Sequence, residues 1–208
     1  MMKNLSVDGD RLWANILELG SIGKDQSGVS RVSFNDYDMQ ARHWLLSRMR
    51  FAGLDSHIDE VGNVFGTVPS SCSKNILVGS HTDTVPNGGM FDGALGVLAA
   101  LECAQTIAEN NIEIKAGIRI ASFSNEEGTQ AGGGLFGSRY FAEGIEENEQ
   151  RLVEPVLKRA GLAGFTSQRV LESLSDYLCY LELHVEQGGV LADSKEQIGV
   201  VQGIVCIH

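Results

Sequence analysis

The sequence is poor in residues that break or cross-link a chain, and it lacks any long apolar run. Only three of its 208 residues are proline, and its four cysteines lie far apart and form no CxxC pair. Separated cysteines argue against a disulfide framework and favour reduced thiols in a cytosolic protein. No apolar run approaches the roughly 18 residues that a membrane helix needs, and the first residues contain no apolar segment typical of a secretory signal. We therefore expect a cytoplasmic protein without a membrane partner.

Positive charge is also scarce. Sixteen Lys and Arg stand against 27 Asp and Glu, which gives a formal net charge of −11 and makes nucleic acid an unfavourable partner. Hydrophobic residues make up 43% of the chain, an ordinary globular share that excludes a disordered acidic segment. We therefore predict one domain, or one and a fraction, over residues 1–208, with a well-formed core.

The apolar pattern alternates between helical and strand periods. Helices are predicted over residues 10–20, 35–52, 93–110 and 135–142, with shorter helical turns over 155–160 and 167–173. Strands are predicted over 56–59, 63–68, 75–79, 113–124 and 177–185, followed by a closing hairpin of 190–192 with 198–207. This alternation predicts an α/β fold in which a mixed sheet is flanked by helices on both faces.

Polar residues follow three predicted strands at their carboxyl ends, where open α/β sheets bind ligands. In the first segment, His81 and Asp83 lie two residues apart and so point to the same side of a strand. A ligating imidazole usually donates its other N–H to a carboxylate, which this pair would allow. A surface histidine beside a solvated aspartate fits the same pattern. Asp92, at the start of the long helix, fits either a helix cap or a carboxylate that bridges two cations.

The other two segments carry adjacent or clustered acids. Glu126 and Glu127 follow a buried strand and repel each other unless a cation or a shifted pKa relieves them, although a solvated turn would also accommodate them. His184 lies in an apolar segment and shares a strand face with Glu182 and Glu186, a polar stripe that is costly to bury unpaired. A lone buried histidine, however, is more often a hydrogen-bonding residue than a ligand.

Taken together, the three segments supply two histidines and several carboxylates at one edge of the sheet. Mixed nitrogen and oxygen ligands suit zinc, with manganese, cobalt or nickel as alternatives, and no cysteine lies among them. Gly132, Gly134 and Gly137 match the spacing GxGxxG, but they lack the strand-to-helix context of a dinucleotide site. Ser80 is not a candidate nucleophile, because neighbouring strand residues face opposite ways.

These strings resemble the M20 metallopeptidase-like amidohydrolases, and specifically the branch of N-carbamoyl-L-amino acid hydrolase, allantoate amidohydrolase and β-ureidopropionase. The resemblance rests on residues 79–97, 124–128, 137–139 and 181–188, with further likeness at 61–66 and 198–205. It covers nearly the whole chain in order. It implies the N-terminal part of a zinc-peptidase-like catalytic domain and the hydrolysis of a linear amide or ureido C–N bond in a small-molecule substrate.

The resemblance also implies a role for each matching residue and two divalent metal ions, zinc or manganese. The implied metal ligands are His81, Asp92, Glu127 and His184, with Asp92 bridging the two ions. Glu126 would be the general base, Asp83 would orient His81, and Gln187 would contact the substrate. The peptide bond after Asp92 is a candidate for the cis form.

Relatives of this family run to roughly 400 residues, about twice the length of this chain. They are homodimers through a lid domain, and the resemblance implies that this lid and the C-terminal strands are absent here. The fragment would then be weakly active or inactive. Two other functions remain open, namely a non-enzymatic remnant that acts as an interaction module and a dipeptidase or aminopeptidase of the broader M20 group.

Overall fold

A computed structural model describes residues 5–162 and 173–203. Within these residues, five strands form one sheet: β1 (Asp55–Ile58), β2 (Val64–Thr67), β3 (Asn75–His81), β4 (Gly117–Phe123) and β5 (Tyr177–Leu181). Their order across the sheet is β1-β2-β4-β3-β5. The three strands β4, β3 and β5 run parallel, whereas β1 and β2 pair antiparallel. The sheet is therefore mixed, as the sequence predicts.

In the described part of the chain, six α-helices accompany the sheet: α1 (Gly9–Ser21), α2 (Asp36–Phe51), α3 (Ala94–Glu109), α4 (Phe136–Glu143), α5 (Glu147–Arg159) and α6 (Val190–Ser194). The first two begin at side-chain caps, where Asp8 accepts a hydrogen bond from the Arg11 amide and Asn35 accepts one from the Asp38 amide. Within the described ranges no helix has both the length and the hydropathy needed to cross a bilayer.

Apolar side chains cover both faces of the sheet. Val64 and Ile120 pack with α1, α2 and α3, whereas their chain neighbours Phe65 and Ala121 pack with Phe141 of α4. Successive strand residues point to opposite faces, so each central strand contributes to two cores. The prediction of helices on both faces is confirmed, and the edge of the sheet between these two layers holds the polar segments.

Several boundaries differ from the prediction. Helix α5 begins eight residues before the predicted helical turn at 155–160, because Val153 and Leu157 bury one face of a longer amphipathic helix. Strand β5 ends at Leu181 rather than at 185, so His184 lies in a loop and not within a strand. The predicted hairpin is wrong in its described part, because residues 190–194 are helical. The turn predicted over 167–173 lies almost entirely outside the described residues. The expectation of a cis bond after Asp92 is also wrong, since no described peptide bond is cis.

Candidate metal centre

Parallel pairing brings the polar segments to one edge of the sheet. His81 is the last residue of β3 and pairs in register with Phe123, the last residue of β4. The turn that carries Glu126 and Glu127 therefore starts beside His81. Strand β5 runs parallel to β3 on its other side and leads into residues 182–189, here called the His184 loop. Asp92 lies immediately before α3 at the same edge.

The first cluster consists of His81, Asp92 and His184, whose candidate ligand atoms all lie within 4.8 Å of one another. Asp92 Oδ1 is 3.9 Å from His81 Nε2 and 3.1 Å from His184 Nε2. The two imidazole rings lie 6.1 Å apart, centroid to centroid, with an angle of 29° between their planes. The carboxylate of Asp92 does not cap α3, whose N-cap is Gly93 without a side-chain bond. Its two oxygens instead face the histidine and Gln187 side chains.

The tautomers of both histidines follow from their backbone contacts. His81 Nδ1 lies 3.0 Å from the carbonyl oxygen of Asp83, and His184 Nδ1 lies 2.9 Å from the carbonyl oxygen of Val185. A carbonyl oxygen only accepts, so each Nδ1 carries a proton and Nε2 is the ring atom that each histidine turns toward Asp92. Two Nε2 atoms and one carboxylate oxygen therefore converge on a point where a single cation could contact all three.

The second cluster consists of His81, Glu126 and Glu127, again with ligand atoms within 4.8 Å. Glu126 Oε2 is 3.6 Å from His81 Nε2. Partial burial raises the pKa of both glutamates, His81 opposes the rise, and the neighbouring carboxylates, including Asp83 and Asp92, add to it. Glu127 thus lies close to His81 and Glu126. His81 belongs to both this cluster and the cluster of Asp92 and His184.

Asp83 lies beneath both clusters and is fully buried. The resemblance implies that Asp83 orients His81. The atom of Asp83 nearest to His81 Nδ1 is its backbone carbonyl oxygen, whereas its carboxylate oxygen Oδ1 lies 3.7 Å away. The carboxylate accepts a hydrogen bond from the Ser33 hydroxyl at 2.7 Å and longer ones from the amides of Glu126 and Glu127, at 3.4 and 3.3 Å. The Asp83 carboxylate therefore fixes the turn that carries Glu126 and Glu127, here called the glutamate turn, and also lies beside the His81 imidazole.

Gln187, the predicted substrate contact, donates from Nε2 to Asp92 Oδ2 at 2.6 Å. The second oxygen of Asp92 is thus occupied by a neighbour from the His184 loop. Every residue that the resemblance singles out consequently lies in one continuous set of contacts around His81 and Asp92.

Two residues that shape the site carry no sequence signal. Ser33 lies 50 positions before Asp83, and a lone serine in a loop is unremarkable. Asn125 is buried at a positive φ of 48°, its side-chain amide donates to the carbonyls of Ala131 and Gly133, and its Oδ1 accepts from the Gln130 amide. The positive φ turns the chain so that Glu126 and Glu127 face His81. Asn125 adjoins the glutamates, but nothing in the pattern indicates its conformation.

The donor set suits divalent cations. It offers imidazole nitrogens and carboxylate oxygens, the ligands that zinc and manganese accept, and it holds no thiolate. The Nε2 atoms that converge on Asp92 Oδ1 and the raised pKa values of Glu126 and Glu127 both mark a place where positive charge would be stabilised. The residues present therefore fit a metal centre.

Comparison with known proteins relates the chain to a family and to solved structures of the same fold. Residues 63–159 match the family model described as Peptidase family M28. The chain is 38% identical over 210 residues to the N-carbamoyl-L-amino acid amidohydrolase of Geobacillus stearothermophilus, covering 95% of this chain and 51% of that protein. It is 35% identical to the ureidoglycolate hydrolase of Oryza sativa subsp. japonica, covering 95% of this chain and 44% of that protein. A crystal structure of a hydantoinase/carbamoylase family amidase from Burkholderia phymatum superposes with a TM-score of 0.84 at 37% identity, over 93% of this chain and 48% of that one.

Fold and matches together place an M28 peptidase domain of the M20/M28 zinc-peptidase-like superfamily within this chain. Within that superfamily it is a homologue of the N-carbamoyl-L-amino acid amidohydrolases and their relatives, as the sequence motifs predict. The chain spans about half the length of the curated relatives that it matches.

Proposed function

We propose that residues 1–208 are the metal-dependent part of a catalytic domain that hydrolyses a linear amide or ureido C–N bond. The substrate would be a small molecule of the N-carbamoyl amino acid, allantoate or ureidopropionate type. The observation that carries the proposal is the convergence of two imidazole Nε2 atoms on Asp92 Oδ1, with Glu126 and Glu127 beside the same His81. Relatives that are named amidohydrolases support the reaction class.

His81, Asp92 and His184 would hold one divalent ion, and Glu127 would hold a second. Ions bound there would act as Lewis acids on the substrate carbonyl and would lower the pKa of the attacking water. Asp92 Oδ2 accepts a hydrogen bond from Gln187 at 2.6 Å and would be available to an ion only if that side chain turned away. Gln187 would then be free to donate to the substrate.

Glu126 is the proposed general base. Its carboxylate is partly buried among other acids, which raises its pKa and makes it a stronger proton acceptor than a solvated glutamate. It would take the proton from the attacking water and return it to the leaving nitrogen. Asp83 and Ser33 would keep the glutamate turn in place, because the Asp83 carboxylate bonds both that turn and the Ser33 hydroxyl.

The first test replaces Glu126 by Gln and measures both turnover and metal content. A positioned general base contributes about 10²–10⁴-fold, so ammonia release should fall by at least about 100-fold while the metal content of the variant stays that of the wild type. The assay uses the 208-residue chain and whatever longer chain its gene encodes, with added Mn²⁺ or Zn²⁺. Near-normal turnover by Glu126→Gln would end the general-base assignment.

The choice of substrate separates this proposal from its alternatives. Wild-type protein is offered N-carbamoyl amino acids, allantoate, ureidopropionate and a set of dipeptides. Ammonia release from a ureido or carbamoyl compound supports the amidohydrolase, whereas cleavage of the dipeptides alone supports a peptidase. Metal binding without any hydrolysis would favour an interaction module.

A further inference from the structure

Two carboxylates flank His184 at equal distances along the chain, and the structure gives them different partners. Glu186 accepts hydrogen bonds from the amides of Val190 and Leu191, at 2.8 and 2.9 Å, and so stabilises the start of α6. Glu182 instead reaches to β3, where it accepts from the Ser80 hydroxyl at 2.5 Å. Its other oxygen accepts from the Tyr180 hydroxyl at 2.8 Å.

Ser80 is a rigid anchor for this contact. It precedes His81 within β3, is only 2% exposed and pairs in register with Ser122 of β4. The single hydroxyl proton of Tyr180 is shared between Glu182 at 2.8 Å and the carbonyl oxygen of Gly79 at 3.2 Å. Glu182 thus connects the first residue of the His184 loop directly to Ser80, the strand residue that precedes His81.

The next residue of the loop is fixed against α3. A Cβ atom on Gly96 would lie 2.3 Å from the carbonyl oxygen of Leu183, so the loop backbone touches the first turn of that helix. The two residues before His184 are therefore both in contact with the core of the domain. Glu182 bonds to β3, and the backbone of Leu183 packs against α3. Beyond His184, the side-chain contact from the loop to the cluster is Gln187 with Asp92, and Gln187 is exposed.

We propose that Glu182 is a positioning residue for the metal centre. By accepting hydrogen bonds from Ser80 and Tyr180, it fixes the start of the His184 loop on β3 and so sets the approach of the His184 imidazole to Asp92. The inference rests on the proposed function, because it assumes that His184 and Asp92 bind a metal ion. Groups that orient ligands in this way typically change metal affinity by about 10–100-fold when they are removed.

The experiment measures Co²⁺ affinity and the Co²⁺ visible absorption spectrum, which reports on ligand geometry and does not need turnover. The wild-type chain is compared with Glu182→Ala, Glu182→Gln and Ser80→Ala. Glu186→Gln is the matched control, since it removes a carboxylate at the same distance from His184. Circular dichroism and thermal unfolding identify any variant that has failed to fold, and Ser80→Ala, which removes only a hydroxyl group, keeps the test valid if Glu182→Ala unfolds.

We expect Glu182→Ala to weaken Co²⁺ binding by about 10–100-fold and to change the spectrum, because the imidazole is no longer held in place. Glu182→Gln should recover part of the affinity, since its amide oxygen still accepts one of the two hydroxyl groups. Glu186→Gln should bind Co²⁺ as the wild type does. In the double variant Ser80→Ala/Glu182→Ala, the loss should be smaller than the product of the two single losses, because both changes break the same contact.

Three results would overturn the inference alone while leaving the metal centre intact. They are wild-type affinity and spectrum in both Glu182→Ala and Ser80→Ala, an equal loss in Glu186→Gln, and independent effects in the double variant. If the wild-type chain binds no Co²⁺, the proposed metal centre fails and the inference fails with it.

Discussion

At the scale of single residues, Gly93 shows how tightly the backbone encloses His81. It adopts a φ of 61° with a ψ of −46°, which L side chains rarely accept, and a Cβ there would lie 2.4 Å from Nε2 of His81. Gly93→Ala should push the imidazole away from Asp92 and lower Zn²⁺ affinity by about tenfold or more, as measured by calorimetric titration.

Gly89→Ala is the matched control, because Gly89 belongs to the same loop and a Cβ there meets no atom within 4 Å. We expect the control to bind Zn²⁺ normally. Equal affinities for Gly93→Ala and Gly89→Ala would show that the His81 ring does not need the space that Gly93 leaves.

Asn125 supports the glutamate turn through both its backbone and its side chain. Asn125→Ala loses the side-chain hydrogen bonds in a buried place and puts alanine at a positive φ, so the free energy of unfolding should fall by about 3 kcal/mol. Asn111 has a similar φ of 50° but is exposed. Asn111→Ala should therefore cost only about 1 kcal/mol in the same urea denaturation experiment. Similar losses for the two variants would mean that the buried hydrogen bonds around Asn125 contribute little.

The sequence predicts the chemistry-bearing residues of the site because they form short contiguous strings at the ends of apolar strands. His81, Asp92, Glu126 and Glu127 all lie where parallel strands and a helix start meet. Ser33 and Asn125 could not be predicted in the same way. The role of Ser33 depends on a hydrogen bond to a residue 50 positions away, and that of Asn125 depends on its positive φ. Neither feature produces a pattern in the neighbouring sequence.

At the scale of elements, the contact between α1 and α3 depends on one buried carboxylate. Glu102 of α3, with a side chain 2% exposed, accepts from Nε and Nη2 of Arg11, from the Asp8 amide and from the Thr106 hydroxyl, at distances from 2.7 to 2.9 Å. Glu102→Gln should lower the free energy of unfolding by about 2 kcal/mol, because an amide replaces an oxygen that faces these donors. Glu109→Gln removes the exposed partner of the same Arg11 and should cost less than about 0.5 kcal/mol.

This contact also has a pH dependence with a definite sign. Burial alone would raise the pKa of Glu102, but the hydrogen bonds from Arg11, Asp8 and Thr106 outweigh it and lower the pKa in the folded state. The stabilisation is therefore complete above the unfolded-state pKa of about 4.3 and is lost as the pH falls through the folded value. Wild type and Glu102→Gln should differ in unfolding temperature at pH 7 and converge in acid. A constant difference down to pH 3 would contradict this assignment.

Helix and strand positions follow from the sequence wherever a full apolar face is buried within the described chain. Strands β3 and β4 and helices α1, α2 and α3 meet this condition, and their predicted positions are close to the observed ones. The segment after β5 does not. Most of the large apolar residues there are exposed, among them Leu183, Val190, Ile198 and Val200, so their spacing does not report a packed face. For that reason the predicted hairpin is wrong in its described part.

At the scale of the whole molecule, the fold brings negative charge together at one edge of its sheet. The chain carries a net charge of −11. Five acidic side chains interact with one another around the site, namely Asp83, Asp92, Glu126, Glu127 and Glu182. A domain that concentrates acids in this way is stabilised when it binds a cation, because the cation offsets their mutual repulsion. Everything proposed about hydrolysis depends on that binding.

Anomalous diffraction at the zinc edge, from crystals of the 208-residue chain grown with Zn²⁺, tests this claim most directly. The account predicts an anomalous peak bounded by His81 Nε2, Asp92 Oδ1 and His184 Nε2, at about 2.0–2.2 Å from each. The peak should disappear in His81→Ala. Zinc bound only elsewhere, or no zinc in the wild-type crystals, would contradict the account.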